Sequence, residues 1–429
     1  LMKFYELSRQ ERLNQLQQQG VLSTASSAYL LKKPALDEQV LNAMVENNLG
    51  EFNLPLGVAD NFVINGQKYV VPMVTEEPSV IAAASNGAKR VALGGGFATT
   101  VTERLLKAQI IVTQVTNFAD FAARIKDVTA KIRQVANDAH PSIVQRGGGF
   151  DHLTVSQVGD NFAEVGLWLN PVAAFGANLA NTIAEAVAAY LQANILIGQE
   201  AVLAAILSNV GSKMLVTTEC TVPVTVLATK KIAGITVAQR LVALNQFAHL
   251  NADRGTTENK GILNGIFAVA LATGNDLRAL SSAITTYLMT EQQNVLSTWQ
   301  LNLEQQTLTG RLTLPLTIGS VGGAINSLPS AQISLEILQQ PTIEQLMGIM
   351  ASTGLANNLA ALRALVTSGI QAGHMRLQSA NLAIQAGAVG SEIATLQQQL
   401  NRSNHSDLAM ARAMLQQLRD KKVNKNNDN

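Results

Sequence analysis

The sequence predicts an α+β protein in three parts: a large mixed α/β domain, a small βαββαβ unit inserted into it, and a helical C-terminal segment. Three observations lead there. Asn65-Gly66 lies between two strand-like runs, Phe62-Val63-Ile64 and Tyr69-Val70-Val71, and is the favoured two-residue hairpin turn. Between residues 108 and 219 the pattern reads strand, helix, two strands, helix, strand, the order of a ferredoxin-like unit. Beyond residue 375 only polar-faced helical periodicity remains. The expected divisions are therefore 1–107 and 220–374 for the large domain, 108–219 for the small unit and 375–429 for the C-terminal helices.

Taken in order, Ser8 and Glu11 form a capping box for a helix carrying Leu13 and Leu16. Asp37 caps a second helix with Val40, Leu41, Met44 and Val45 on one face and Gly50 as its stop. After the hairpin, Pro78 suits the first position of an alanine-rich helix, which puts Glu77 at its N-cap. Gly94-Gly95-Gly96-Phe97 reads as a loop, and no GxGxxG dinucleotide fingerprint occurs in the chain. The small unit is expected to run as strand Ile110–Val115, helix Phe118–Ala139, strands His152–Val158 and Phe162–Leu169, helix Asn178–Ile197 and a return strand near Met214–Thr218. Gly176 opens the second of these helices, where bare backbone N–H groups favour phosphate, although a packing role explains a glycine there as well. Gln300–Pro315 alternates like strand, Val321-Gly322-Gly323 is a turn, Thr342 and Gln345 form another capping box, and 356–366 is helical. Gly369 to Gly373 breaks the pattern just before His374, and two helices follow, roughly 375–385 and 392–419.

The 429 residues are 47% hydrophobic and only 14% charged, with a net charge of +1. That balance fits a protein with much buried surface and gives no footing for a nucleic-acid partner. Cys220 is the single cysteine, which excludes an intrachain disulfide and a cysteine metal site. The five histidines, His140, His152, His249, His374 and His405, have no metal-ligand spacing, so no metal is expected. The polar start LMKFYELSRQERLNQL carries no secretory pattern, and no apolar run reaches the about eighteen residues of a membrane span. A cytoplasmic protein without a membrane partner is expected.

The stretch from Arg254 to Arg278 stands out. Lys260 and Asn264 share one helical face, and Gly261 and Gly265 leave bare backbone beside it. An apolar run, Ile266 to Ala272, leads to Gly274 and then Asp276. The pattern admits a charged site at the two ends of one helix, but most charged side chains are exposed, and on pattern alone a solvated lysine and a turn aspartate is the more ordinary reading.

Several stretches, in order and spacing over nearly the whole chain, resemble the class II (soluble, bacterial and archaeal type) hydroxymethylglutaryl-CoA (HMG-CoA) reductases. They are FYELSRQERL, ENNLGEFNLPLGVADNFVINGQ, VPMVTEEPSVIAAAS, GANLANTIAEA, ILSN, NKGILNGI, ATGND, VGGA and IQAGHM. The resemblance implies a catalytic set at Glu77 (EEPS), Lys260 (NKG), Asp276 (ATGND) and His374 (GHM). It implies substrate contacts at Ser79, Arg254, Asn264 and Asn209, with Asn357 standing where the family has a glutamine. The large domain then holds HMG-CoA, the small one the nicotinamide cofactor, and 375–429 is a flap that brings in His374. The family's cofactor loop, usually DAMGAN or EAMGAN, reads Ala173-Ala174-Phe175-Gly176-Ala177-Asn178 here; the acid is lost, while Gly176 and Asn178 remain. Where NAD-using members carry an aspartate before a glycine turn, this chain has His140 and Ser142, which can donate to a 2′-phosphate. The expected cofactor is NADPH, with NADH possible. The expected partners are HMG-CoA, mevalonate, CoA and a second copy of the chain in a homodimer with the site at its interface. NAD-dependent oxidation of mevalonate and a CoA-ester-binding protein with weak catalysis are the alternatives.

Overall fold

Asn65 and Gly66 both adopt positive φ, 49° and 81°, as a two-residue hairpin turn of the favoured hand requires. They join β1 (Leu56–Ile64) to β2 (Gln67–Val74) at the edge of a six-stranded sheet. Residues 3–32, 36–369, 379–403 and 407–427 are described, from a computed structural model. The remaining strands are β3 (Phe97–Val101), β4 (Leu106–Thr113), β5 (Gly149–Val158), β6 (Phe162–Asn170), β7 (Ala201–Leu207), β8 (Leu215–Pro223), β9 (Ser297–Asn302) and β10 (Thr307–Pro315). The large sheet has the order β2-β1-β3-β8-β10-β9, in which only the β1–β3 pair is parallel. The second sheet, β5-β6-β4-β7, is antiparallel throughout, and its order is that of a split βαβ pair.

The large core is organised by the helix Ile343–Leu365, in which every residue from Leu346 to Leu359 is buried. A helix buried on all sides must be surrounded, and here two others close on it. The helix Pro78–Ala92 crosses at Gly87, where a Cβ would overlap the Ala356 carbonyl oxygen. The helix Ala252–Ala272 crosses at Gly265, where a Cβ would lie 2.9 Å from the Thr353 oxygen. Gly354 answers from the central helix, against Ile262 and Ile266. Glycine at these crossings brings the backbones closer than a side chain permits.

The four-stranded sheet has its own core, with Ile110, Val165 and Leu167 packed beneath Phe121, Ile132 and Ile183. Two connections, between β3 and β4 and between β7 and β8, lead to it. They pair with each other through Thr102 N–H to the Leu215 oxygen and Leu105 N–H to the Lys213 oxygen, both 3.1 Å.

The structure corrects the expected elements in five places, one of them Gln300–Pro315, which falls on two strands, β9 and β10, joined by a turn at 303–306. The last strand of the small sheet is Ala201–Leu207; Met214–Thr218 falls instead at the start of β8, in the large sheet. Ala201–Leu207 lacks polar alternation, so its sequence does not read as a half-buried strand. The span Phe118–Ala139 is two helices, Phe118–Asp127 and Thr129–Ala139, meeting at Val128. Phe97 opens β3 rather than closing a loop. The Asp37 helix ends at Met44, short of Gly50, and leaves Met44 and Val45 exposed. The C-terminal helices Ser391–Arg402 and Leu408–Asn427 pack on each other through Leu396, Leu400, Ala411 and Leu415. The expected flap begins at Met375, and Met375 lies outside the described residues, as does His374.

Candidate active site

Lys260 projects from the third turn of its helix, whose N-cap Asn251 accepts from Arg254 N–H at 2.9 Å. Its Nζ lies 3.6 Å from Glu77 Oε2. Glu77 is the N-cap of the helix Pro78–Ala92, as its place before Pro78 predicts, but its carboxylate does not cap the helix. Thr75 Oγ1 fixes the Glu77 backbone by accepting its N–H at 3.2 Å, and Ser79 Oγ donates to Glu77 Oε1. With its amide turned as its neighbours require, Asn264 accepts from Lys260 Nζ and donates to the Lys260 carbonyl, each at 3.2 Å. Glu77, Ser79, Lys260 and Asn264 therefore form one constellation, positioned by two helices packed on the same central helix. The Lys260 side chain is 66% exposed in the single chain.

The glycines beside Lys260 part company. Among the described residues a Cβ at Gly261 would meet nothing within 4 Å, so they leave the face beside Lys260 open. Gly265 serves the helix crossing instead, and a Cβ there would also press 3.2 Å from Asn357 Cγ. Asn357 is 3% exposed, and its Oδ1 has no hydrogen-bond partner among the described residues. Arg254 Nη2 stands 3.6 Å from Oε2 of the buried Glu258. Asn209 is exposed in the connection between β7 and β8.

Asp276 does not join Lys260 and Glu77 within one chain. Lys260 and Ala272, the last residue of the helix, are twelve positions apart, about 18 Å of helical rise, and Asp276 lies beyond. It caps the next helix, Leu277–Thr290, accepting from the N–H groups of Arg278 (2.8 Å) and Ala279 (3.3 Å). The side-chain hydrogen bonds from the Arg278 guanidinium hold its carboxyl below the usual carboxylate range, so it is ionised at neutral pH.

Beside the small sheet, where the helix Thr129–Ala139 gives way to the short helix Pro141–Gln145, His140 and Ser142 meet, with Nδ1 and Oγ 3.2 Å apart. Gly176 is left-handed, φ 91°, at the head of the helix Ala177–Asn194. That helix has no side-chain cap and no acid in its first turn, so its leading N–H groups are free of an internal anion and suit a pyrophosphate. Packing also demands this glycine, because a Cβ would sit 2.8 Å from Pro171 Cβ. Asn178 is exposed in the first turn.

The family model described as hydroxymethylglutaryl-coenzyme A reductase matches residues 8–379. This chain belongs to the HMG-CoA reductase family. The 3-hydroxy-3-methylglutaryl-coenzyme A reductase of Archaeoglobus fulgidus is 37% identical over 421 residues, 97% of this chain and 94% of that protein. A solved HMG-CoA reductase from Streptococcus pneumoniae superposes with a TM-score of 0.82 at 38% identity, covering 97% of this chain and 99% of that one. A class II HMG-CoA reductase from the same organism, solved bound to NADPH in open conformations, gives 0.81 at 39% identity, with 96% and 100% covered. The mixed α/β architecture with two sheets agrees with these reductase structures.

Two residues beside this candidate site escaped sequence reasoning. Thr75 carries no motif beyond its place beside EEPS. Glu258, 2% exposed, gathers Asn245 Nδ2 (2.8 Å), Ser297 Oγ and Asn358 Nδ2 (both 3.1 Å) behind Arg254. Its only sequence signal is its position four residues after Arg254, on the same helical face. Among the described residues no group of acids, histidines and cysteine could hold a metal, and no helix is long and apolar enough to cross a membrane.

Proposed function

We propose that this chain reduces HMG-CoA to mevalonate and free CoA, consuming two NADPH and two protons. The observation that carries the reading is the Lys260–Glu77 pair, 3.6 Å apart and flanked by Ser79 and Asn264, in a chain of this family. NADPH, when bound, supplies the hydrides. Lys260 stabilises the negative charge that develops on the thioester oxygen as the thiohemiacetal forms. Asn264, by accepting from the ammonium, keeps it aimed. Glu77 lies within reach of the same oxygen and is the proton donor for the alkoxide formed in the second reduction, with Ser79 Oγ orienting the carboxyl. His374 protonates the departing CoA thiolate. Arg254, Asn209 and Asn357 complete the HMG contacts. Gly176 and Asn178 take the cofactor pyrophosphate at the helix N-terminus, and His140 with Ser142 takes the 2′-phosphate.

A second copy supplies Asp276 in this reading. Three features support it: the separation of Asp276 from Lys260 along one chain, the exposure of Lys260, and the exposure of Leu49 and Phe52 at 104% and 90%. A fixed ammonium does more where water is excluded, and a covering subunit would both exclude it and bring an ionised carboxylate.

The test is the initial rate of nicotinamide oxidation with HMG-CoA. HMG-CoA-dependent oxidation should run faster with NADPH than NADH, with two NADPH consumed per CoA released. Binding of HMG-CoA without oxidation would make the chain a CoA-ester-binding protein. A strong NADH preference would contradict the roles given to His140 and Ser142 and favour mevalonate oxidation.

A further inference from the structure

Val172 is a β-branched residue with φ 55°, a conformation that such a side chain strongly resists. It lies where several segments meet. Its N–H is held by Asn170 Oδ1 at 2.9 Å, and its carbonyl accepts from Arg104 Nη1. Arg104 comes from the connection between β3 and β4, and its Nη2 also donates to the oxygens of Ile318 (3.1 Å) and Ala174 (3.4 Å). Burial lowers the pKa of this guanidinium to about 10, which leaves it charged at neutral pH. The segment after Ile318 is stitched to the same loop: Ser320 N–H donates to the Ala173 oxygen at 2.9 Å, and a Cβ at Gly319 would lie 2.6 Å from the Phe175 nitrogen. On the other side, a Cβ at Gly148 would lie 2.6 Å from Val172 Cγ2, so the glycine turn that follows His140 and Ser142 rests on Val172.

Strain of this kind persists only where surrounding contacts over-determine it, and it is found at ligand clamps. Here the contacts converge on the loop that leads into Gly176. We infer that Arg104 and Val172 form a strained clamp that sets the NADPH loop, and the glycine turn beside it, before the cofactor arrives. The inference rests on the proposed function. Arg104 is a positioning residue in it: it ties the Val172 and Ala174 carbonyls of the loop to the Ile318 carbonyl, and it does so from the connection between the two sheets. Without Arg104 the Val172 backbone relaxes toward negative φ, the loop leaves its register, and cofactor binding must restore it. Preorganisation lost in the free protein is then read as weaker NADPH affinity. HMG-CoA, on the other sheet's helices, is indifferent to it.

The experiment measures NADPH binding by fluorescence, HMG-CoA binding by calorimetry and the melting temperature for wild type, Arg104→Met and Arg104→Met/Val172→Gly. Arg104→Met should weaken NADPH about tenfold or more while HMG-CoA affinity stays within about twofold. Glycine at 172 adopts positive φ without strain, so the double variant should recover most of the lost NADPH affinity. Equal weakening of both ligands, unchanged NADPH affinity in Arg104→Met, or no recovery in the double variant would overturn the clamp. Should Arg104→Met not fold, Arg104→Lys decides in its place: it keeps the charge but cannot reach all three carbonyls, so the clamp requires weakened NADPH binding with HMG-CoA binding unchanged, and unchanged NADPH affinity refutes it. A wild type that binds HMG-CoA but does not oxidise NADPH with it defeats the proposed function independently of Arg104.

Discussion

Lys260→Ala is expected to lower kcat by about a hundredfold to a thousandfold or more, the loss seen when an oxyanion-stabilising donor is removed. The side chain is 66% exposed in the single chain and contacts Glu77 and Asn264 rather than the core, so the fold should survive. The melting temperature should therefore stay close to wild type while turnover collapses. HMG-CoA affinity should fall less than kcat, because the oxygen carries little charge until hydride arrives. A variant retaining more than a tenth of wild-type kcat would remove Lys260 from the centre of the mechanism. Parallel loss of kcat and stability would mean that the lysine is structural.

Gly87→Ala is expected to destabilise the protein even though alanine is the better helix former. Propensity alone favours alanine by about 1 kcal/mol. Against this, the new Cβ would overlap the Ala356 carbonyl, which belongs to the buried central helix and cannot turn aside as a side chain could. Overpacking of that kind costs about 1–3 kcal/mol. The net effect is a fall in melting temperature of a few degrees, on the order of 2–4 °C per kcal/mol for a large domain. Glu77 rides on the N-terminus of the same helix, so kcat should drop with stability, the reverse of the Lys260→Ala pattern. A melting temperature above wild type would show that the two helices do not cross as closely as described.

Much of this was readable from the sequence because its determinants are local. The hairpin follows from Asn65-Gly66, the first helix from Ser8 and Glu11, and the entry of Glu77 from Pro78; each is decided within four residues. The helix broken at Val128 and the strand Ala201–Leu207 were missed for a complementary reason. Neither carries a turn signal or an alternation of its own, and both are imposed by packing on the small sheet. The pairing of Glu77 with Lys260 was not legible as geometry at all. It depends on Gly87, Gly265 and Gly354 letting two distant helices lean on one another through a third. The motif resemblance named both residues but could not say that Gly265 packs while Gly261 faces open space. Asp276 shows the limit from the other side. Its spacing from Lys260 on an apolar helix suggested one cluster, and helical rise keeps the two apart in a single chain.

The measurement that tests the account most directly is subunit complementation between Lys260→Ala and Asp276→Ala. Each variant alone should be nearly inactive. Unfolded together and refolded as an equal mixture, half the dimers should be mixed, and each mixed dimer should hold one complete site, with Lys260 from one copy and Asp276 from the other. Activity should therefore return to roughly a quarter of wild type. A mixture as inactive as its components would show that Lys260 and Asp276 do not meet across subunits, and would contradict the shared site.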